Sequence, residues 1–536
     1  MSTASVHGAP AEHTSFVGRG EEVEAVMALL APGRAVTLVG PGGAGKSRLA
    51  AAAAAEAASA WPDGAWWVDL GGESGPEHVR RRVVEALQPL LPTGPRTLKA
   101  LAGALAGRRL LLVLDNCEHV LADAAGMVME LLATNEALAV LATSQAPLAV
   151  SAEQVYRVPP MTMPDALELF LERARLDPSQ GGAPRGEVRQ AARRVCDRLD
   201  RLPLALELAA GWAGTLTAAQ IADALAEPLE FLDGGPRSAP FRQRSLEASL
   251  AWSHGLLDRD QQVLFRRLAV FRPGFTADAA SQVCGFGQLS PSRVLRGLRG
   301  LVDASLVVAD TTGSEARFSM LGVVHAFADA RLAESPDAAE AHARHLAAYL
   351  AAVERARPLL DTDKDAWRAA LVPEYANLRA AVEWGLAQPD TAGGRRLAAD
   401  LAWLWHLQGL GDEGLPLLRR AVECGGSEHS AVQAQVLLAL ATVADPTANK
   451  AEAYAAAREA AEMAAPLQDW ATVLPARTLV AIGLIGEDLD AARALAEQVV
   501  RDARVHGDAF AEEAAQVVIG LLHLLREEYD AATGAL

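Results

Sequence analysis

Short apolar runs bounded by turn residues dominate the first third of the chain. Ala35–Val39, Leu110–Asp115 and Ala137–Thr143 carry almost no polar residue, and Ala65–Leu70 and Gln154–Val158 are two more extended candidates. Unbroken apolar runs of this length predict strands buried on both faces. An Ala-rich helical segment, Lys46–Ala60, and helical segments near 76–91 and 96–106 lie between them. Strands alternating with helices predict a parallel sheet covered on both sides.

The pattern then becomes helical. Asp165–Arg175 and Glu187–Leu199 are amphipathic, a third helix opens at Arg201-Leu202-Pro203, and a fourth spans Leu216–Leu225. Gly234–Pro240 reads as a boundary. Beyond it, helices near 244–256, 258–270, 276–284 and 290–303 precede two β-rich stretches, Ser305–Val308 and Ala316–Met320, which together predict a winged helix. The last third repeats. Glu413, Glu452, Asp490 and Asp530 each open an Ala/Leu-rich helix after a polar turn, at spacings of 39, 38 and 40 residues. Apolar helices at 396–409, 431–444, 470–485 and 509–526 precede them, which predicts an α-solenoid of tetratricopeptide type or else a non-repeating bundle. A solenoid ending at Leu536 without a polar cap exposes an apolar face, so more chain or another surface is expected to cover it.

The expected fold class is therefore multidomain: a P-loop-type α/β sheet, a helical domain, a winged helix and a TPR-like solenoid. The expected limits are a flexible tail over 1–14, a nucleotide-binding domain over 15–160 and a helical domain over 161–238. A winged helix over 239–333, a helical linker over 334–390 and repeats over 391–536 follow.

Composition narrows the function classes. The chain has 536 residues and a net charge of −18, which argues against a general binder of nucleic acid or anionic membrane. The charge is uneven. From Glu334 onward 17 basic residues face 31 acidic ones, whereas 240–333 carries 11 arginines against 8 acids. Four scattered cysteines without a CxxC pair exclude a disulfide framework and fit a cytoplasmic protein. The start of the chain lacks a signal-peptide pattern, and no apolar stretch is long enough to span a membrane. Lysine occurs at only four positions, and one of them is Lys46.

Lys46 belongs to the strongest motif. Gly40, Pro41, Gly42, Gly43, Ala44, Gly45, Lys46 and Ser47 fit GxxxxGK[ST] between a predicted strand and a predicted helix. Glycines let backbone amides wrap phosphates, the helix presents its positive end, Lys46 reaches the β- and γ-phosphates, and Ser47 holds Mg²⁺. Arg48, next in the helix, is counted with them. Asp115 ends an apolar strand, where a carboxylate either holds the magnesium or caps the following helix. Glu118 either polarises an attacking water or is simply solvated. Thr143, with Ser144 and Gln145, closes another strand and either faces the γ-phosphate or caps. Arg293, Arg296 and Arg299 recur three apart on a winged-helix helix, either as a DNA-facing row or as a salt-bridged surface.

In order along the chain these motifs resemble the STAND class of signalling ATPases, the NB-ARC or AP-ATPase lineage. The likeness is to the version in large bacterial transcriptional regulators of the SARP and LuxR types. Phe16, Val17, Gly18 and Arg19, with Glu22, resemble the segment that lies over the nucleotide base. The stretch from Leu112 to His119, Leu141–Ser144, and Leu202-Pro203-Leu204-Ala205 also match, and the resemblance implies that Pro203 packs on adenine. Val270-Phe271 and Leu301–Leu306 resemble its winged helix, and Tyr375–Trp384 the start of its repeats.

Three positions depart from the family pattern. Gln145 replaces an arginine that senses the γ-phosphate, Arg201 replaces a glycine, and Met320-Leu321-Gly322 stand where Met-His-Asp places a histidine on the ADP phosphate. The resemblance implies an ATP- or ADP-binding, Mg²⁺-dependent switch with slow turnover at most. Its expected partners are the nucleotide, a protein or small-molecule inducer at the repeats, and further copies of itself on ATP binding. DNA contact is unsupported by a separate domain in this chain. The competing readings are an active AAA+-type ATPase and a repeat scaffold with a structural nucleotide.

Overall fold

The computed structural model describes all residues except 1–5, 11–13, 72–74, 91–97, 152, 177–184, 227, 233–244, 427–428, 445–449 and 529–536. The boundary expected at Gly234–Pro240 and the repeat position Asp530 lie outside the described residues. Two compact units form. The first is Met1–Ala269 with Gly285–Ser335, and the second is Val270–Cys284 with Pro336–Leu536.

The first unit is built on a six-stranded parallel sheet. Its strands are β1 (Val6–His7), β2 (Ala35–Val39), β3 (Ala65–Asp69), β4 (Leu111–Asp115), β5 (Ala139–Ser144) and β6 (Glu153–Arg157), in the order β1-β3-β4-β5-β2-β6. Alternation explains why the apolar runs are unbroken. Val36, Leu38, Leu111, Val113, Ala139 and Leu141 face one core, against helices Gly20–Leu29 and Lys46–Ala57. Leu112, Leu114, Val140 and Ala142 face the other, against Pro76–Ala86 and Leu121–Thr134. One expectation needs correcting. The first 14 residues are not a tail throughout, because Val6 and His7 pair with Ala65 and Trp66, and His7 stacks on Trp66 at 4.3 Å. Two residues leave no periodicity to read.

Helices Met163–Arg173, Arg185–Arg198, Pro203–Ala210 and Ala218–Ala224 follow the sheet. Then come Leu246–Gly255, Arg259–Arg267, Pro291–Asp303, a hairpin of Val308–Asp310 against Arg317–Ser319, and Gly322–Ala333. Arg293 pairs with Asp260 at 3.0 Å and Arg299 with Asp303 at 3.9 Å, so these two cations already face carboxylates of their own domain.

The second unit is helical. The helices over 338–385, expected as a linker, belong to the same compact unit as the repeats. The acidic repeat positions have a shared physical role. Glu413 accepts from Tyr375 at 3.0 Å and Arg379 at 3.1 Å, Glu452 from Arg419 at 2.7 Å, and Asp490 from Arg526, so each ties its helix to another about one repeat away. Asn377, from the stretch Tyr375–Trp384, accepts from the Arg272 amide at 2.7 Å beside the buried His345. Helices Tyr375–Gly385 and Ala392–Asp400 meet backbone to backbone, since a Cβ on Gly394 would lie 2.5 Å from the Gly385 carbonyl carbon.

Two outcomes follow. Gly394→Ala lowers the stability of this unit by about 2 kcal/mol, as overpacking does, measured by urea unfolding. Burial pushes the His345 imidazole down to about 3 from 6.5, an effect that Arg272 and His342 reinforce and the Asn377 hydrogen bond opposes. The unfolded chain therefore takes up a proton below pH 6.5 that the folded unit excludes. Stability is full above that pH and falls on acidification by up to about 1.4 kcal/mol per pH unit. Unfolding of wild type and His345→Gln from pH 7 to 5 should show a flatter profile for the variant.

Candidate functional site

The site lies at the carboxyl ends of the strands in the first unit, where parallel sheets place their clefts. The chain after β2 turns through Gly43 (φ +80°) and Gly45 (φ +85°) into helix Lys46–Ala57. These left-handed conformations are costly for residues with a Cβ. Lys46 Nζ donates to the carbonyls of Gly40 at 2.8 Å and Pro41 at 3.0 Å. Ala44, within the loop, is buried.

Asp115 is the electrostatic centre. It is 6% exposed, and its Oδ1 accepts from Ser47 Oγ at 2.6 Å and Thr143 Oγ1 at 2.5 Å. Its Oδ2 accepts from Asn116 at 3.1 Å, and Asn116 reaches Asp69 at 2.8 Å. Burial raises the Asp115 carboxyl above its ordinary value, the two hydroxyl donors lower it, and Asp69 and Glu118 raise it further. Ser47 and Asp115 together offer the hard oxygen atoms that suit Mg²⁺. Thr143 does not face the cleft as expected. It is 1% exposed, its hydroxyl is turned onto Asp115, and it also accepts from the Asn116 amide at 3.0 Å.

A cleft of about 1140 Å³, its open mouth included, spreads from the loop. Phe16, Val17, Arg19, Gly42, Gly43, Gly45, Lys46, Ser47, Arg48, Glu118, Gln145 and Pro203 are among the residues that line it. Gly18 instead makes the turn before helix Gly20–Leu29, at φ +64°, where a Cβ would overlap the Asp165 carboxylate. Arg48 lines the wall, but its guanidinium holds the carbonyls of Thr14 at 2.8 Å and Ser15 at 2.7 Å, which pins the segment leading to Phe16. Arg19 is 3% exposed, and one nitrogen donates to the Pro159 carbonyl at 3.2 Å. Its Nε and its other terminal nitrogen are buried without an acceptor among the described residues. Burial lowers the guanidinium's pKa, while Glu22, Tyr156 and Asp165 raise it. Buried N–H groups without an acceptor are costly, and an acceptor atom entering the cleft would relieve them.

Leu204, from the motif around Pro203, forms part of the wall, and residues outside every motif complete it. Leu204 packs on Gly43 and donates its amide to the Gly43 carbonyl at 3.2 Å. Ser249 and Trp252 come from helix Leu246–Gly255, 200 residues beyond the loop, and the Ser249 hydroxyl sits where a Cβ on Gly42 would be. Glu207 bridges Arg48 and Arg173. No local pattern marks Ser249, Trp252 or Glu207, since only tertiary packing brings them in. Gln145, 6% exposed, lines the cleft while its carbonyl accepts from Ser305 of the winged helix at 2.9 Å. Arg157 likewise donates to the Val302 carbonyl at 3.3 Å.

A family model described as Novel STAND NTPase 1 matches residues 9–158, and a winged helix-turn-helix domain model matches residues 257–333. A Mycobacterium tuberculosis protein named as an HTH-type transcriptional regulator is 38% identical over 400 residues, covering 74% of this chain and 45% of its own. The chain thus spans less than half the length of that relative. An uncharacterized protein of the same organism is 35% identical over 334 residues, with 62% of this chain and 85% of its own covered. Regulatory protein AfsR of Streptomyces coelicolor is 29% identical over 331 residues, covering 57% and 31%.

Arg201, at the family's glycine position, has φ +55° directly after Asp200 at φ +50°. The structure therefore keeps the turn that glycine would make freely. Arg201→Gly should raise stability by about 1 kcal/mol in thermal or urea unfolding.

Proposed function

The chain belongs to the STAND class of signal-transduction ATPases, in the form carried by bacterial transcriptional regulators, and we propose that its cleft binds ADP or ATP with Mg²⁺ as a conformational switch. The observation that carries this reading is the pairing of a glycine-rich phosphate loop with the unmatched buried nitrogens of Arg19 in one cleft. The loop amides and Lys46 hold the phosphates. Ser47 and Asp115 hold Mg²⁺, whose charge screens those phosphates when bound. Thr143 and Asn116 fix the Asp115 carboxylate. Phe16, Val17 and Pro203 supply the apolar wall for the base, and Arg19 donates toward the nucleotide.

Turnover is slow in this reading. Gln145 brings no positive charge to the γ-phosphate, whereas Glu118 stands in the wall as an acceptor for a water proton. The winged helix rests on the nucleotide domain through Ser305, Val302 and Asp303. ADP favours this docked state, and a protein or small-molecule inducer at the helical repeats favours exchange, opening and self-association. The output we assign is regulation of transcription, the role carried in the name of the HTH-type relative.

Nucleotide bound to the purified chain should be ADP or ATP by mass spectrometry. Lys46→Ala and Arg19→Ala should each weaken ADP binding about tenfold or more in calorimetric titration. Steady-state turnover should stay below about one per second. Absence of binding at millimolar nucleotide overturns the reading, and fast turnover overturns the switch in favour of a working ATPase.

A further inference from the structure

Helix Gly322–Ala333 begins without a cap of its own. Its N-cap residue is Leu321, whose side chain accepts nothing, and the first amides of a helix need an acceptor. The acceptor comes from 123 residues earlier. Asp200 Oδ2 takes the Val323 amide at 3.0 Å, and the Gly322 amide also donates to this carboxylate. Asp200 is half-buried: desolvation raises its carboxyl above the ordinary value, the two amides of the helix start lower it, and a carboxylate at the positive end of a helix is favourably placed.

The turn that delivers Asp200 is unusual. Asp200 and Arg201 are consecutive left-handed residues, at φ +50° and +55°. Such conformations persist where the surroundings fix them. Here the surroundings do so at both ends. The Arg201 carbonyl accepts from the Met161 amide at 3.3 Å, Leu204 donates to the Gly43 carbonyl at 3.2 Å, and Pro203 lies 3.5 Å from where a Cβ on Gly45 would be. Five residues, Asp200 to Leu204, thus touch the phosphate loop at one end and the last winged-helix helix at the other.

We propose that Asp200 is the latch by which the phosphate loop holds the winged helix, with the Asp200–Leu204 turn as the lever between them. The inference rests on the nucleotide-switch reading above and adds the route of its coupling. In this chain Leu321 stands at the family's histidine position, and its side chain cannot bond a phosphate. The connection runs instead from the loop backbone through Leu204 and Pro203 to Asp200, and from its carboxylate into the helix. A shift of the Gly43 carbonyl when the γ-phosphate changes moves the turn and loosens the cap.

Hydrogen exchange on the full chain tests this, without nucleotide, with Mg²⁺-ADP and with a non-hydrolysable ATP analogue. Asp200→Gly is the informative variant, because glycine accepts the left-handed turn and removes the carboxylate, with Asp200→Asn below separating that loss from added backbone freedom. The first amides of helix 322–333 should exchange about tenfold faster in Asp200→Gly, and their difference between the ADP and ATP-analogue states should vanish. ADP affinity should stay within about threefold of wild type. Asp200→Asn retains an acceptor oxygen and should recover most of the protection. Gly322→Pro removes one donor at a first-turn position that tolerates proline, and should lose protection in the same direction. Protection within about twofold of wild type in Asp200→Gly overturns the latch. Faster exchange with the nucleotide difference intact overturns the coupling. If wild type binds no nucleotide, the switch reading fails on its own, while exchange in the nucleotide-free protein still decides whether Asp200 holds the helix.

Discussion

The bare backbone of the phosphate loop is the surface on which the rest of the first unit is assembled. Three glycines meet three different partners: Gly42 lies under Ser249, Gly43 under Leu204, and Gly45 beside Pro203. A methyl group at Gly42 or Gly43 would strike its partner, at 2.3 Å and 2.7 Å. Absence of side chains therefore serves two purposes. It leaves amides free to surround phosphates, and it lets the helical domain and helix Leu246–Gly255 close onto the same loop. Whatever moves that loop moves both neighbours, because close-packed contacts of this kind have no slack.

Much of this was legible in the residue pattern. Three of the five longer strands follow from nearly unbroken apolar runs and two from the other extended stretches, and the loop, Asp115 and Pro203 stand out by motif and order. The acidic repeat positions Glu413, Glu452 and Asp490 do open helices in the second unit, in their first turns. The remainder depends on pairings across long separations. Val6 and His7 form a strand only because Ala65 and Trp66 offer an edge. Ser249, Trp252 and Glu207 reach the cleft through packing that no local periodicity records. Thr143 was placed correctly at a strand end, but its hydroxyl serves Asp115 rather than the cleft.

The departures from the family pattern also gain a physical meaning. Arg201 keeps a left-handed turn that favours glycine, so the fold tolerates a cost there instead of changing shape. Leu321 leaves a helix start without a local acceptor, and Asp200 fills that role from another domain. Gln145 stays in the cleft wall while its backbone serves the winged helix through Ser305. The substituted positions are thus still engaged structurally, even where their charge or chemistry has changed.

The glycine crossing in the second unit has a mechanical side. Where Gly385 and Gly394 meet, main chain rests on main chain, with the Leu346 side chain at the border of the contact. Two helices separated by leucines can roll by repacking their side chains. Two helices touching at bare backbone behave more like meshed gears, so that turning one forces the other to turn or to part. Rotation of either helix therefore has less slack to absorb it here than at a crossing padded by long side chains.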